Sequence, residues 1–244
     1  MRYKNLTVIG TSHIAKQSLK EVELTFIKEK PDVVALELDK RRFFALTSKK
    51  AGSRFRLRDI KKIGLKGLVF NLIGAWIEQK LGKLVGVKPG SEMVEAIKLA
   101  NKYKKSIALI DQDIEITLRN ISSSFSWKEK FNFVIDLFRG LFFKDRELRK
   151  VGIKKLDLTK VPPQNVVEKI IKQVKKRYPS LYRVLIEERN QVMAANLHKI
   201  MSLNPDKKIL AIVGAGHEKE IINIVKNTVK AKKSDQISYS FNIG

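Results

Sequence analysis

Two of the three histidines, His13 and His217, close the same pattern, Gly-x-x-His, directly after a strand-like run. Gly10-Thr11-Ser12-His13 follows Leu6–Ile9, and Gly214-Ala215-Gly216-His217 follows Lys208–Val213. With 13 glycines among 244 residues, a given histidine has glycine three places before it with a chance of about 5%. The repetition therefore marks the two as a pair. The glycines are expected to let the chain turn sharply off each strand, leaving both imidazoles at the carboxyl edge of a sheet, where open parallel sheets bind ligands. The other two strand-like runs end in carboxylates. Asp32–Leu36 leads into Glu37-Leu38-Asp39 with Arg42 beyond, and Ser106–Ile110 leads into Asp111-Gln112-Asp113. Two imidazoles with carboxylates suit a divalent ion such as manganese, cobalt, zinc or iron. An ion with an open position acidifies water and polarises a carbonyl, so the chemistry indicated is metal-assisted hydrolysis. Strand-end Asp and Glu are ordinarily solvated, and a histidine in such a turn can simply cap or fill space. Glu37 fits that plainer reading least, because it lies inside Val33-Val34-Ala35-Leu36-Glu37-Leu38 and needs a partner when buried.

Two further segments carry charge in unusual contexts. Pro89-Gly90-Ser91-Glu92-Met93 opens a helix, with Ser91 as its expected N-cap and Glu92 near its start. Glu187-Glu188-Arg189-Asn190 lies in a helical pattern continuing through Val192, Met193, Ala194 and Leu197, where ion pairs along a solvated face are the ordinary reading. His198, on the same helix, has no Gly-x-x-His context and reads as structural. Gly214-Ala215-Gly216 is not a dinucleotide fingerprint, since the third glycine position is Lys219. A P-loop, a Gly-x-Ser-x-Gly elbow, a His-Glu-x-x-His helix and an RNA-binding aromatic signature are all missing from the sequence.

The elements that must position these residues follow from the apolar pattern. The four strand-like runs lack alternation, as parallel strands covered on both faces do. After Ser12, the residues Ile14, Leu19, Val22, Phe26 and Ile27 recur at helical spacing up to Pro31. The fold expected is α/β, a mainly parallel central sheet flanked by helices, in one domain over 1–244 with helical insertions at about 43–88 and 120–160. Within those insertions, the cluster Leu68 to Ile77 and the Phe-rich segment Phe131–Phe143 read as amphipathic helices. They either pack on each other or form a homodimer interface, or they meet anionic lipid or an apolar ligand. Helices are expected at Gln164–Arg177 and Leu181–Met201, and an edge strand at Gln236–Ile243.

The chain has 50 basic and 25 acidic residues, a net charge of +25 and no cysteine. That composition excludes a disulfide scaffold, a thiolate zinc site, an iron–sulfur protein and a cysteine nucleophile. Met1 leads within a few residues into a strand, so no signal peptide is expected, and the longest uncharged run, Gly67–Ile77, is far short of the ~18–20 residues of a span. A soluble, cytoplasmic protein is indicated. The charge raises nucleic-acid or anionic-membrane binding. Lys and Arg are nevertheless spread along the chain, which favours a solvated surface of the kind thermophile proteins carry.

In order along the chain, Gly10-Thr11-Ser12-His13, Glu37-Leu38-Asp39 with Arg42, Pro89-Gly90-Ser91-Glu92-Met93, Asp111-Gln112-Asp113-Ile114 with Thr117-Leu118-Arg119, Glu188-Arg189-Asn190 with Met193, and Gly214-Ala215-Gly216-His217 resemble the motifs of the TraB/PrgY (pheromone shutdown) family. That family is similar to the TIKI and GumN group of proposed metalloproteases, in which two Gly-x-x-His motifs and an acidic residue form the metal site. The resemblance spans about residues 6 to 222. Where family members often read Asp-Arg-Asp and Glu-Arg-Asp, this sequence has Asp111-Gln112-Asp113 and Glu188-Arg189-Asn190. It looks like an archaeal-type soluble member, without the apolar segments that follow the last motif in pheromone-shutdown proteins. The resemblance implies a metal-dependent peptidase of short or apolar peptides. His13 and His217 would bind the metal with Glu37, and Glu92 would complete the set. Glu188 would be the general base, and Arg42 and Arg189 would hold a substrate carboxylate or the developing oxyanion. The division of ligand and base roles among Glu37, Glu92 and Glu188 stays open. The alternatives are a protein that sequesters a peptide or other ligand without cleaving it, and a nucleic-acid or anionic-membrane binder.

Overall fold

A computed structural model describes residues 1–12, 16–48, 90–142 and 163–238. His13, Pro89 and most of the two expected insertions lie outside the described residues. The order of elements is β1 (Arg2–Tyr3), β2 (Leu6–Thr11), α1 (Lys16–Glu29), β3 (Val33–Leu36), α2 (Lys40–Thr47), α3 (Ser91–Lys102), β4 (Ser106–Leu109), α4 (Ile114–Ser124), α5 (Trp127–Phe142), α6 (Gln164–Arg177), α7 (Pro179–Tyr182), a π-helical turn (Arg183–Glu187), α8 (Glu188–Leu203), β5 (Ile209–Gly214) and α9 (Glu218–Ser238).

Among the described residues the strands form one sheet in the order β1-β2-β5-β3-β4. The pairs β2–β5, β5–β3 and β3–β4 are parallel, and only the two-residue β1 runs antiparallel, against β2. The unbroken apolar runs have the cause expected of them, because both faces of the sheet are covered. On one face, Val22 and Phe26 of α1 and Met93, Ala96 and Ala100 of α3 pack on Ile9, Val34, Leu36, Leu210 and Ile212. On the other, Met193 and Leu197 of α8 and Ile221 and Val225 of α9 pack on Leu6, Val8, Ala35, Ile209 and Ala211. The helices after β2 and β5 therefore lie on opposite faces, although the two strands are neighbours. Their carboxyl ends mark a topological switch point, the place where open α/β sheets commonly bind ligands.

Four expectations are corrected. Residues Gln236–Ser238 continue α9 rather than starting an edge strand. The helix expected at Leu181–Met201 is divided into α7, the π-turn and α8, and it ends at Leu203. Ser91 is the first residue of α3 and not its cap. The cap is Gly90, whose left-handed φ of 76° suits a residue without Cβ.

The fourth concerns Gly10, which turns nothing. It lies in β2 opposite Val213, and a Cβ there would stand 2.5 Å from Glu218 Oε2 and 2.9 Å from Ala215 Cα. Close approach to the start of α9 is what requires glycine at this position. Gly214, the last residue of β5, lends its N–H to the site described next.

Candidate functional site

Glu37, one residue past β3, is 3% exposed. Its N–H donates to Ile212 O at 3.1 Å, so pairing with β5 carries on past the strand and aims the side chain across the sheet edge. The carboxylate is held from two sides. The Gly214 N–H donates to Oε2, and Arg189 Nη2 donates to Oε1. Arg189 also forks onto Asp111, two residues past β4, with Nε donating to Oδ1 at 3.0 Å and Nη2 to Oδ2 at 2.8 Å. Asp111 Oδ2 accepts as well from Arg42 Nη2, and Arg42 Nε reaches Asp39 Oδ2 at 2.9 Å. Asp39 is the N-cap of α2, accepting from the N–H groups of Arg41 at 2.7 Å and Arg42 at 3.0 Å, and it thereby sets the first turn that carries Arg42.

Buried charges persist only when paired in this way. Burial alone lowers the pKa of the Arg189 guanidinium. The nearby Glu37 charge and the hydrogen bonds to Asp111 and Glu37 outweigh it and hold the group above its ordinary value. Arg189 is therefore a fixed cation. Three carboxyl groups (Glu37, Asp39, Asp111) meet two guanidiniums (Arg42, Arg189) here.

His217 is 5% exposed in the turn between β5 and α9, where its N–H donates to Gly214 O at 2.8 Å. Its Nδ1 lies 2.7 Å from Asn190 Oδ1, and its Nε2 lies 3.4 Å from Arg189 Nη1 and 3.6 Å from Glu37 Oε1. Arg189 and Asn190 are consecutive on α8, directly after the π-turn. π-Turns insert a residue into the helical repeat and are frequent at functional sites.

His217, Glu37, Arg42 and Arg189 thus come together, and Asp111, Asn190 and the Gly214 N–H join them. Glu188 is turned elsewhere. Its Oε2 accepts from Asn120 Nδ2 at 2.8 Å, and its Oε1 is 3.6 Å from Arg183. Glu92 is buried in the first turn of α3. Asp111 and Asn190 stand in the sequence within Asp111-Gln112-Asp113 and Glu188-Arg189-Asn190, but nothing there tells that Asp111 holds Arg189 or that Asn190 faces His217.

The donor chemistry at the sheet edge fits a divalent ion in part. Imidazole Nε2 and carboxylate Oε1 are separated by 3.6 Å, a gap that two bonds of about 2 Å can bridge, and Nδ1 is engaged by an amide oxygen as ligating histidines are. Arg189 donates to Glu37 Oε1 and lies 3.4 Å from His217 Nε2, so the pair already has a cationic neighbour. No group of three His, Asp or Glu converges as a ligand set among the described residues, which do not include His13.

An open, mainly parallel α/β sandwich with paired ions and a buried imidazole across its carboxyl edge belongs to the class of α/β proteins whose site is built from strand ends. The chain belongs to the TraB/PrgY/gumN family, which it matches over residues 3–229. It is 38% identical over 225 residues to the uncharacterised protein MJ1365 of Methanocaldococcus jannaschii, covering 91% of this chain and 53% of that one. It is 24% identical over 236 residues to the TraB domain-containing protein of Mus musculus, and 23% identical to that of Homo sapiens. Each match covers 86% of this chain and 60% of the mammalian protein. The chain thus spans little more than half the length of these relatives. No helix among the described residues is long and apolar enough to cross a membrane.

Proposed function

We propose that the protein is a cytoplasmic hydrolase that uses a divalent metal ion (manganese, cobalt, zinc or iron) to cleave short or apolar peptides. The observation that carries this reading is the approach of His217 Nε2 to Glu37 Oε1 at the carboxyl edge of the sheet, within a cluster richer in carboxyl groups than in guanidiniums. His217 and Glu37 would hold the ion with His13, and Glu92 is the further candidate ligand. When bound, a divalent ion supplies Lewis acidity at a carbonyl and acidifies water.

The chain's own residues do the rest. Arg189, tied to Asp111, keeps Glu37 in place. Arg42, at 35% the more exposed of the two site arginines, is the candidate to meet a substrate carboxylate. Glu188, steadied by Asn120, and Glu37 are the two candidate proton acceptors.

The full chain, loaded with each metal in turn and incubated with a mixture of short peptides, should produce cleavage that chelator abolishes and Glu37→Gln suppresses. Cleavage indifferent to both would contradict the proposal. A second reading is peptide sequestration or contact with an anionic membrane through α5, favoured by the exposure of Trp127 (82%) and Phe131 (69%) one helical turn apart, with Lys130 Nζ 4.1 Å from the Trp127 ring. Retention of intact peptide, or adsorption to acidic vesicles, would favour it.

A further inference from the structure

Asn190 is 1% exposed, and its amide faces the His217 ring across 2.7 Å. A neutral imidazole carries one N–H and one lone pair, so whatever Nδ1 does with this amide decides the character of Nε2. If the amide oxygen faces Nδ1, the proton sits there and Nε2 is the acceptor. If the amide is turned round, Nδ1 accepts and Nε2 carries the proton.

Hydrogen bonding of Asn190 alone does not choose between the two. With the oxygen towards His217, Asn190 Nδ2 is buried without a partner, and turning the amide would exchange one unpaired atom for the other. Which way the amide faces is read from the other side of the ring, where a longer and weaker contact favours the same tautomer. Arg189 Nη1 lies 3.4 Å from Nε2, and a guanidinium can only donate, so a proton on Nε2 would set two N–H groups against each other. Glu37 Oε1, at 3.6 Å, is too far to accept a hydrogen bond from Nε2.

We propose that Asn190 is a positioning residue that fixes His217 in its Nδ1–H tautomer and leaves the Nε2 lone pair facing Glu37 and Arg189. Its importance for function rests on the metal-site reading above, since a ligating histidine needs that lone pair and an oriented ring. A neutral amide achieves this without adding a fourth carboxylate to Glu37, Asp39 and Asp111.

The test is the nitrogen-15 spectrum of metal-free, histidine-labelled protein at pH 8, with His217 assigned by comparison with His13→Gln and His198→Gln. The expected pattern is a pyrrole-type Nδ1 resonance and a pyridine-type Nε2 resonance. Asn190→Asp, which keeps an acceptor, should keep Nδ1 protonated, and Asn190→Leu should lower the Nδ1–H fraction measurably, since only the longer Arg189 contact then favours it. A protonated Nε2 in the wild type, or Asn190→Leu with an unchanged Nδ1–H fraction, would overturn the inference. Should Asn190→Leu fail to fold, the wild-type and Asn190→Asp spectra decide. Zinc titration of the same samples separates the two questions: Asn190→Leu should bind about 10–100-fold more weakly than wild type. The expected tautomer in a wild type that binds no metal would remove the metal reading and leave the role of Asn190 standing.

Discussion

The guanidinium of Arg189 forks onto the carboxylate of Asp111, with Nε on Oδ1 at 3.0 Å and Nη2 on Oδ2 at 2.8 Å. These two residues, 78 positions apart in the chain, join the end of β4 to the start of α8 and carry Glu37 with them. The candidate site is therefore also part of what holds the fold together.

Removal of that guanidinium should be costly. Arg189→Met leaves Glu37 and Asp111 buried without their shared cation and should destabilise the protein by about 3–5 kcal/mol. Arg189→Lys should recover only part of this, because an ammonium cannot fork onto two carboxylates. Urea denaturation of the two variants against wild type measures both effects, and equal stability of Lys and Arg at this position would show that the fork contributes nothing.

Gly10→Ala tests the packing of β2 on the start of α9. The new Cβ would stand 2.9 Å from Ala215 Cα, a backbone atom that cannot rotate away, and 2.5 Å from Glu218 Oε2. A loss of roughly 1–3 kcal/mol in the same denaturation assay is expected. Glu218→Ala added to it should restore only a fraction, since the backbone contact remains.

Tyr178 should make stability depend on pH in the alkaline range. Burial, and then its hydrogen bond to Asp136, push the phenol up to about 12. A tyrosine in the unfolded chain ionises near 10. The folded state binds this proton more tightly, so the contribution is complete below about pH 10 and is lost as pH rises towards about 12. Denaturation midpoints at pH 9 and pH 11.5 should fall further apart in wild type than in Tyr178→Phe, and equal differences would remove Tyr178 from the effect.

Glu37 and Glu188 should separate by what each exchange removes. Glu37→Gln should weaken metal retention together with peptide cleavage. Glu188→Gln, changed where Asn120 and Arg183 are the partners, should keep the metal and, if it is the proton acceptor, lower turnover by roughly 10²–10⁴-fold. Turnover retained in Glu188→Gln would pass the acceptor role to Glu37.

The sheet was legible because strands covered on both faces must be apolar throughout, and Val33–Leu36 and Ile209–Gly214 are. The burial of Glu37 was legible for the same reason, as a charge inside such a run. Its partners were not, since Arg189 and the Gly214 N–H arrive from distant parts of the chain and no local pattern announces them. The purpose of Gly10 was hidden likewise, because the atoms that forbid a Cβ belong to Ala215 and Glu218. The π-turn at Arg183–Glu187 carries no glycine or proline to mark the inserted residue, and β1, with two residues, is too short to leave any pattern.

The most direct measurement is metal content per chain, by elemental mass spectrometry of protein purified without chelator, in wild type and in the double variant His13→Ala/His217→Ala. About one divalent ion per wild-type chain and none in the double variant is the expected result. Equal content in both proteins, or no metal in wild type even after reconstitution, would contradict a metal centre shared by the two Gly-x-x-His motifs.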